Sequence, residues 1–519
     1  MHYPLRVLAM SSSIPAPRTL QTQARPLLRW LIVLLLISAV IRLYRLTHQS
    51  LWVDEIVTYL SSRGTLGYVL TQKDVNSNIP PLYYVTVNAA LRAGDAVGLA
   101  DQDALLRLPS VLFGVLSIPF LFLVLQPLLG RSVASQAAIM MAISPFHVWY
   151  SQEARPYALL ILLSLVALWC LQKALAQPGS LAWRGAFAIS AAAVAYCHTV
   201  GVAFLAFLML YVLLRTTRGE WTSWAMTFGV TAFLLLPAGW RLYTFPPLES
   251  ANPEYSFSPI HVVYGIWTFA TGYSLGPSLG ELHRPDRGRL LLHHLPLILP
   301  ILAFFAILGL GGAKELWQRS RAVLRILLLW FVIPMAFAIA GSLVTVHPFN
   351  VRYGILSYPP FIAAIALGTE GLRARWMRSI AWLVIFVVSV VSLYGYLFLG
   401  RYSREDTRAA GQFLRAYAMA GDVVIASAPQ TAPTLTYYYR DTSAAIIGYP
   451  AKERYVEPSR IEADLATILH GRDRFWLFQS RTYQSDPNDD LGRYCDQHFQ
   501  REKSLDGNGI RMILYRKTL

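Results

Sequence analysis

Eleven apolar runs, separated by more polar segments, occupy most of the first 400 residues of this 519-residue chain. Each run is close to the roughly 20 residues that a helix needs to cross a hydrocarbon core about 30 Å thick. Because backbone polar groups in lipid must bond within their own segment, the runs predict membrane-spanning α-helices. The fifth and sixth runs nearly adjoin, so a count of ten to twelve is open. The predicted spans are about 30–46, 105–125, 133–149, 156–174, 185–197, 199–214, 222–243, 291–311, 324–345, 354–369 and 378–399.

Composition agrees with this class. Hydrophobic residues make up 55% of the chain and charged residues only 14%, which excludes an ordinary soluble enzyme. The net charge of +16 does not indicate nucleic-acid binding, since residues 401–519 are nearly balanced with 17 basic and 15 acidic side chains. The excess therefore belongs to the membrane part, where it follows the topology and can also attract anionic lipid headgroups.

Basic residues between the runs orient the chain. Residues 1–29 carry four arginines and no acid, and every second loop after them is basic, as in the cluster at 314–325. Positive loops face the cytoplasm, so the amino-terminal tail (1–29) is predicted to be cytoplasmic. The acidic side chains Asp54, Glu55 and Glu153 then fall on the opposite, periplasmic or extracellular side. Arg42, Arg45 and Arg107 are expected to snorkel to the surface.

The composition changes after the last run. Residues 401–519 form a separate soluble segment in which 406–420 has helical spacing. Strands are predicted at 423–426, 475–478 and 510–515. This segment is expected to be a small α/β domain on the outer side, serving either as a cap over a site or as a stabilising appendage.

Two further segments lie outside the predicted spans. The connection 47–104 is long and contains amphipathic stretches at 53–60 and 83–91, which predict helices lying along the interface. The double proline Pro80-Pro81 suits the first turn of the second helix. The outer loop 244–290 is rich in proline and glycine and is interpreted either as a mobile lid or as an inert connection. The membrane part as a whole is assigned to 30–400.

Charged side chains at the outer surface are the candidate functional residues. A charge at mid-membrane costs roughly 2.5 to 3.5 kcal/mol on insertion scales, so an acidic pair at this boundary, Asp54 and Glu55, indicates a use. Alternatively the pair caps the helix that follows. Glu153 and Arg155 form a second cluster, either at a site or as an ion pair that ties two outer loops. Arg352 suits a phosphate because a guanidinium binds phosphate oxygens bidentately. Alternatively it anchors its span at the interface.

Four motifs in order carry a family resemblance. They are 50–55 (Ser-Leu-Trp-Val-Asp-Glu), 80–84 (Pro-Pro-Leu-Tyr-Tyr), 107–110 (Arg-Leu-Pro-Ser) and 144–157, which begins Ser-Pro-Phe-His and ends Glu-Ala-Arg-Pro-Tyr. Together they resemble the bacterial branch of the polyprenyl-phosphate-sugar-dependent glycosyltransferases with the GT-C fold. This group is similar to protein O-mannosyltransferases and to the aminoarabinose transferase that acts on lipid A. Segment 348–353 (Pro-Phe-Asn-Val-Arg-Tyr) resembles the family's carrier-phosphate motif.

The resemblance implies roles for particular residues. Asp54 is the expected general base on the acceptor, with inversion at the anomeric carbon. Glu55 is expected to orient Asp54 or to bind sugar hydroxyls. Glu153 is the third catalytic candidate. Binding of the carrier phosphate or substrate is expected of Arg155, Arg352, Tyr353, Asn78, Arg107 and Tyr83. In the family pattern Arg107 also lies close enough to support the acid pair. One departure concerns the histidine that often precedes the paired prolines, since this chain has Ile79 there with Asn78 before it. A role for that imidazole is therefore not transferred.

Cofactors and partners follow from the same reasoning. No cofactor is certain, although two adjacent acids could hold Mg²⁺ or Mn²⁺. Cys170, Cys197 and Cys495 are expected to form neither a disulfide nor a zinc site. The expected partners are a polyprenyl-phosphate-linked sugar donor, a lipid, polysaccharide or protein acceptor, and membrane lipids, but no nucleic acid.

The sequence thus predicts a multi-pass glycosyltransferase of the bacterial inner membrane. Its site and its carboxy-terminal domain are expected to face the periplasm. The alternatives are a polytopic lipid or glycan transporter, which would be expected to show internal repeats that are not apparent here, and a nonenzymatic assembly protein of the cell envelope.

Overall fold

The computed structural model describes residues 17–71, 80–99, 102–244, 258–283, 286–344, 349–441, 443–451 and 455–517. The described residues of the membrane part are mostly helical. Its helices are α1 (Pro17–Leu43), α2 (Val53–Ser62), α3 (Leu66–Thr71), α4 (Leu82–Ala96), α5 (Gln102–Leu129), α6 (Arg131–Ile143), α7 (Pro145–Ser151), α8 (Tyr157–Ala176), α9 (Leu181–Cys197), α10 (Gly201–Arg215), α11 (Trp221–Thr244), α12 (Ile260–Thr271), α13 (Leu279–Leu282), α14 (Arg287–Arg319), α15 (Arg321–Val344), α16 (Tyr358–Glu370) and α17 (Arg375–Phe398).

Seven helices in this described part are long and apolar enough to cross a membrane, and all seven coincide with predicted runs. Shorter apolar helices occur at Leu181–Cys197, Gly201–Arg215 and Ile260–Thr271. The run 133–149 is broken, because α6 ends at Ile143 and α7 begins at Pro145, with the Ser144 side chain accepting a bond from the His147 N–H. The predicted class, a helical polytopic membrane protein, is confirmed.

Arg42 does not snorkel, contrary to expectation. Its side chain is fully buried, and its guanidinium donates to Ser151 Oγ at 3.1 Å, Ser38 Oγ at 2.6 Å and the Ala142 carbonyl oxygen at 2.9 Å. The sequence misleads here because a guanidinium carries enough donors to satisfy buried carbonyls from several helices at once.

The connection 47–104 forms helices where its pattern predicts them, and their position along the membrane interface stays a prediction. Helix α2 covers Val53–Ser62 and α4 covers Leu82–Ala96, with Pro81 just before the first turn of α4. A further short helix, α3, lies between them. Residues 72–79, including Asn78, lie outside the described residues. The loop 244–290 also contains structure, since α12 packs its Phe269 ring 5.0 Å from Phe146.

The carboxy-terminal domain has three layers. Its elements are α18 (Thr407–Tyr417), β1 (Val423–Ala426), α19 (Ala432–Tyr439), β2 (Ala445–Gly448), α20 (Ile461–Ile468), β3 (Arg474–Ser480), α21 (Asp490–His498), β4 (Phe499–Gly507) and β5 (Ile510–Lys517). The strand order is β2-β1-β3-β5-β4, in which β1 runs parallel to β2 and β3, and β5 runs antiparallel to β3 and β4. Strand residues alternate between two cores, so α18 and α19 cover one face and α20 and α21 the other.

This domain is docked on the interfacial segment by buried polar contacts. Asp103 at the start of α5 accepts bonds from Arg408 Nη2 at 2.7 Å, Tyr437 Oη at 2.7 Å and Tyr438 Oη at 2.8 Å. Tyr438 Oη also accepts the Leu51 N–H at 2.6 Å. The domain is therefore attached directly beside the segment that carries Asp54.

Candidate active site

The site begins at the first turn of α2. Trp52 precedes the helix in extended conformation, and the Glu55 carboxylate receives the Trp52 N–H at 3.4 Å, a capping arrangement. Asp54 and Glu55 are neighbours in sequence, but their side chains point to different partners. The short helix thereby fixes two carboxylates in two separate environments.

Asp54 faces two guanidinium groups. Arg352 Nη1 lies 2.5 Å from Asp54 Oδ2, and Arg155 Nη2 lies 3.9 Å from the same oxygen. Arg155 also donates to the Asp54 carbonyl oxygen at 3.2 Å. The Asp54 side chain is 24% exposed, the most accessible of the site's three predicted carboxylates. The structure thus joins three residues that stand almost 300 positions apart.

Arg352 is held by a 3₁₀ helix, Val351–Ser357, that precedes α16. The Asn350 side chain accepts the Arg352 N–H at 3.2 Å and starts this helix. The Arg352 guanidinium lies 5.4 Å from the centre of the Tyr353 ring. The two residues predicted to bind the carrier phosphate are therefore in contact with each other. Backbone capping and ring stacking together aim the guanidinium at Asp54.

Glu55 is fully buried in a network of arginines. Arg107 binds it bidentately, with Nε to Oε1 and Nη2 to Oε2 both at 2.8 Å. Arg404 Nη1 and the Ala154 N–H complete the set at 2.6 Å and 2.8 Å. This placement favours a structural role for Glu55 over contact with sugar hydroxyls. Arg107, expected either to snorkel or to support the acids, does the latter and has 2% exposure.

Glu153 lies on the other side of Arg404. Arg404 Nη2 is 3.1 Å from Glu153 Oε2, and the guanidinium is stacked between Trp52 at 5.3 Å and Trp149 at 5.2 Å. Such stacking of a cation on aromatic faces is favourable, more so when it is desolvated. Arg404 therefore bridges the two buried glutamates, and Glu153 pairs with it instead of with Arg155.

Of the remaining predicted binding residues, the structure describes Tyr83. Tyr83 is buried, with its hydroxyl 2.7 Å from Ser110 Oγ, and that oxygen in turn donates to the Arg155 carbonyl at 3.3 Å. Tyr83 thus supports the backbone of Arg155 and does not face Asp54. Asn78 lies outside the described residues, so its predicted role is left as a prediction.

The pKa values of the three carboxyl groups are not all shifted in the same direction. Burial opposes ionisation of Asp54, yet Arg352 and Arg155 outweigh it and lower its pKa to about 2. Burial likewise opposes ionisation of Glu55, and Arg107 with Arg404 lowers that pKa to about 2. For Glu153, burial wins over Arg404 and its pKa is raised. Asp54 and Glu55 are consequently anionic at neutral pH.

Several buried donors of the site lack a partner in the described structure. These are Arg155 Nε, Arg352 Nε and Trp52 Nε1. An unpaired buried N–H normally costs on the order of 1 to 3 kcal/mol. Guanidinium groups left with free donors beside a single shared carboxylate are equipped to receive a further anion.

A carboxylate-bound cation does not fit this arrangement. Asp54 and Glu55 are turned to separate guanidinium partners, and within the described ranges no group of three or more His, Cys, Asp or Glu side chains forms a ligand cluster. Magnesium or manganese would need more oxygen ligands than these two acids share.

Sequence reasoning missed the arginines that the carboxy-terminal domain contributes. Arg404 enters from the segment after α17, and Arg481 lies 5.0 Å from the Trp52 ring while its guanidinium binds Glu405 at 2.7 Å. The density of arginine at 401–408, directly after the last span, was a usable signal for Arg404. For Arg481 no local signal exists, because only the docking of the domain brings it to Trp52.

Solved structures share the overall fold of this chain. The crystal structure of ArnT from Cupriavidus metallidurans in the apo state matches with a TM-score of 0.59 at 13% identity, covering 94% of this chain and 98% of that one. The chain has the GT-C fold. ArnT bound to undecaprenyl phosphate gives a TM-score of 0.54 at 15% identity, covering 93% and 98%. The Archaeoglobus fulgidus oligosaccharyltransferase in the apo form gives 0.55 at 12% identity, covering 86% of this chain and 69% of that one.

A family model also matches part of this GT-C chain. The model described as dolichyl-phosphate-mannose-protein mannosyltransferase covers residues 87–240. That stretch includes Arg107, Glu153 and Arg155 but not Asp54 or Arg352. No curated protein matches the sequence significantly. The resemblance drawn from the motifs is confirmed by the family model and by the fold.

Proposed function

We propose that this protein transfers a single sugar from a polyprenyl-phosphate carrier to an acceptor outside the cytoplasm. Asp54 acts as general base and the anomeric configuration inverts. Arg352 and Arg155 bind the carrier phosphate, with Tyr353 beside them. The observation that carries the proposal is the pairing of Asp54 with two arginines that retain free buried donors.

The charge balance of the site favours an anionic ligand. Five guanidinium groups meet there against four carboxylates, and Glu153 has a raised pKa, so positive charge is in excess. The guanidinium groups are those of Arg107, Arg155, Arg352, Arg404 and Arg481, and the carboxylates are those of Asp54, Glu55, Glu153 and Glu405. A phosphodiester carries one negative charge and matches guanidinium donors bidentately.

The reaction then needs only a base and a stabilised leaving group. Asp54 accepts the proton of an acceptor hydroxyl or amine while the acceptor atom attacks the anomeric carbon opposite the phosphate. The bond from the anomeric carbon to the phosphate oxygen breaks, and its electron pair stays on that oxygen. The released polyprenyl phosphate carries more negative charge than the donor did, and guanidinium groups placed there lower the barrier.

Carrier binding also tunes the base. While Arg352 and Arg155 are paired with Asp54, the pKa of Asp54 is about 2 and its carboxylate is a weak proton acceptor. A phosphate that takes over these donors weakens their hold on the carboxylate, so its pKa rises towards the ordinary value. The base thus gains strength when the donor is in place.

Two lines support the choice of donor and compartment. Among structures of the same fold, ArnT was crystallised with undecaprenyl phosphate, and the Archaeoglobus fulgidus enzyme AglB was determined with an inhibitory peptide and a dolichol-phosphate. The basic tail 1–29 and basic alternate loops support a cytoplasmic amino terminus, with the site on the opposite face of a bacterial inner membrane.

The test compares Asp54→Asn with wild type in cells and in purified form. Mass spectrometry of extracytoplasmic glycoconjugates should show a sugar addition that depends on the chain and vanishes in Asp54→Asn. Purified Asp54→Asn should still bind undecaprenyl phosphate as tightly as wild type or more so, because Arg352 loses a competing partner. Arg352→Gln should weaken that binding at least tenfold.

Asp95→Asn is the matched control, since Asp95 is an exposed aspartate on α4 in the same segment. It should leave both readouts unchanged. Normal glycan products in Asp54→Asn would refute the role of Asp54 and favour an assembly protein. Unchanged carrier binding in Arg352→Gln would refute the phosphate site.

A further inference from the structure

A cleft of about 650 Å³ lies between α2 and the carboxy-terminal domain, away from the Asp54 carboxylate. Its walls come from Ile56 and Leu60 on one side and Pro433 and Ile446 on the other. The volume is in the range of small-ligand sites. None of the contacts of the site described above uses this space.

Two guanidinium groups line the cleft beside a pair of tyrosine rings. Tyr59 and Tyr437 meet edge to face with centroids 4.9 Å apart. Arg63 lies 5.4 Å from the Tyr59 centroid and donates its Nη1 to the Tyr59 hydroxyl, while Arg440 lies 5.3 Å from the Tyr437 centroid and donates its Nε to the Tyr437 carbonyl oxygen at 3.3 Å. Tyr437 is fixed by its bond to Asp103. Within the described residues no carboxylate lies within 4 Å of either guanidinium. Two arginines held by aromatic rings and lacking an acidic partner leave donors for an anion.

The positive charge continues into an adjoining cleft of about 230 Å³. This space shares Gln102 and Arg440 with the first and adds Arg408 and Arg415. The acid that lines it, Asp103, already accepts three hydrogen bonds. Four guanidinium groups therefore face the joined clefts with one engaged carboxylate among their lining residues.

The surroundings are apolar on the side of the interfacial segment. Leu60 lines the cleft and is 41% exposed, and Leu66 and Leu70 on α3 are exposed by 49% and 47%. Large exposed aliphatic side chains on short interfacial helices are suited to the acyl region of a bilayer surface. A cationic cleft with such a rim fits an amphiphile better than a freely soluble anion.

We infer that this cleft binds the anionic headgroup of a membrane phospholipid, with Arg63 and Arg440 on the phosphate and the acyl chains leaving past Leu60. The bound lipid would bridge α2 and α19, the two elements whose contact places the carboxy-terminal domain over the site. This inference goes beyond the proposed transferase and does not rest on it.

The test uses the full-length protein purified in detergent and native mass spectrometry with two lipids of identical acyl chains, phosphatidylglycerol and phosphatidylcholine. Wild type should retain phosphatidylglycerol at least fivefold better. The double variant Arg63→Gln/Arg440→Gln should lose that preference. The control Arg501→Gln/Arg516→Gln removes the same charge at the far sheet edge, where both arginines have acidic partners, and should keep it.

Two outcomes would overturn the inference. One is an unchanged preference in the cleft variant or an equal loss in the control, which would indicate general charge attraction. The other is displacement of phosphatidylglycerol by soluble glycerol phosphate at equal concentration, which would identify a soluble anion as the ligand. Undecaprenyl phosphate binding, measured on every variant, reports folding and the Asp54 site separately from this cleft.

Discussion

At the scale of single residues, the pKa values of three neighbouring carboxyl groups shift in different directions because the groups have different numbers of cationic partners. Asp54 and Glu55 each face two guanidinium groups, and their pKa values fall to about 2. Glu153 is 2% exposed and shares Arg404 with Glu55, so burial dominates and its pKa is raised. Carboxyl groups within one site thus have pKa values shifted in opposite directions.

Glu153→Gln should stabilise the protein at neutral pH. A carboxyl whose pKa is higher in the folded state costs stability once the pH exceeds its value in the unfolded chain, and costs nothing where both states are protonated. The melting temperature of the variant should exceed that of wild type by on the order of 2 °C at pH 7.5. Near pH 4 the difference should disappear.

Thermal unfolding of both proteins in the same detergent across this pH range measures the effect. Asp95→Asn provides the control, because that exposed carboxylate has no buried environment to lose. A variant that is less stable than wild type at pH 7.5 would contradict a raised pKa for Glu153 and would indicate that its ion pair with Arg404 dominates.

At the scale of elements, the crossing of α14 and α16 depends on small residues. A Cβ on Gly312 would overlap the carbonyl oxygen of Ala364, and one on Gly368 would overlap that of Leu308. By contrast, a Cβ on Gly309 would meet only Ile365 Cδ1 at 3.7 Å, an ordinary contact. Close backbone approach at small residues is a common way for helices to associate in membranes. This crossing supports α16, which follows the turn that carries Arg352.

Gly312→Ala and Gly309→Ala therefore make a matched pair on one helix. The former should lower the free energy of unfolding by about 1 to 3 kcal/mol, the usual cost of overpacking. The latter should be neutral or slightly stabilising, since alanine favours helix by up to about 1 kcal/mol over glycine. Thermal melting of the two variants in parallel compares their stabilities. Equal stability would contradict the prediction and would mean that the helices separate easily at this point.

At the scale of the whole molecule, the carboxy-terminal domain is part of the site. It supplies Arg404 and Arg481 and is anchored through Asp103, which accepts one arginine and two tyrosine donors. Buried hydrogen bonds to a charged group are each worth about 1.5 to 3 kcal/mol. Loss of that anchor should loosen the segment between α17 and α18.

Asp103→Ala should accordingly speed tryptic cleavage after Arg401 or Arg404 at least threefold. The substitution removes three acceptor contacts while leaving the hydrophobic cores of the domain unchanged. Asp506→Ala, at the exposed end of β4, should leave the cleavage rate at the wild-type value. An unchanged rate in Asp103→Ala would mean that apolar contacts alone hold the domain in place.

The sequence by itself located the seven helices of the described residues that are long and apolar enough to cross a membrane. Hydropathy does this because the cost of unbonded backbone in lipid leaves helices as the solution for an apolar run. Alternation and turn residues located α2, α4, α18, β1, β3 and β5. The sequence reasoning missed the two edge strands, since β2 has only four residues and β4 is largely polar and exposed.

Only the tertiary structure decided which charges meet. Arg42 became a buried link between helices, Glu55 paired with Arg107, and Asp54 paired with Arg352 across almost 300 residues. Arg404 and Arg481 reached the site through the docking of a separate domain. Sequence patterns report the periodic exposure of neighbouring residues to solvent or lipid. Ion pairing depends on distances of a few ångströms that packing alone sets.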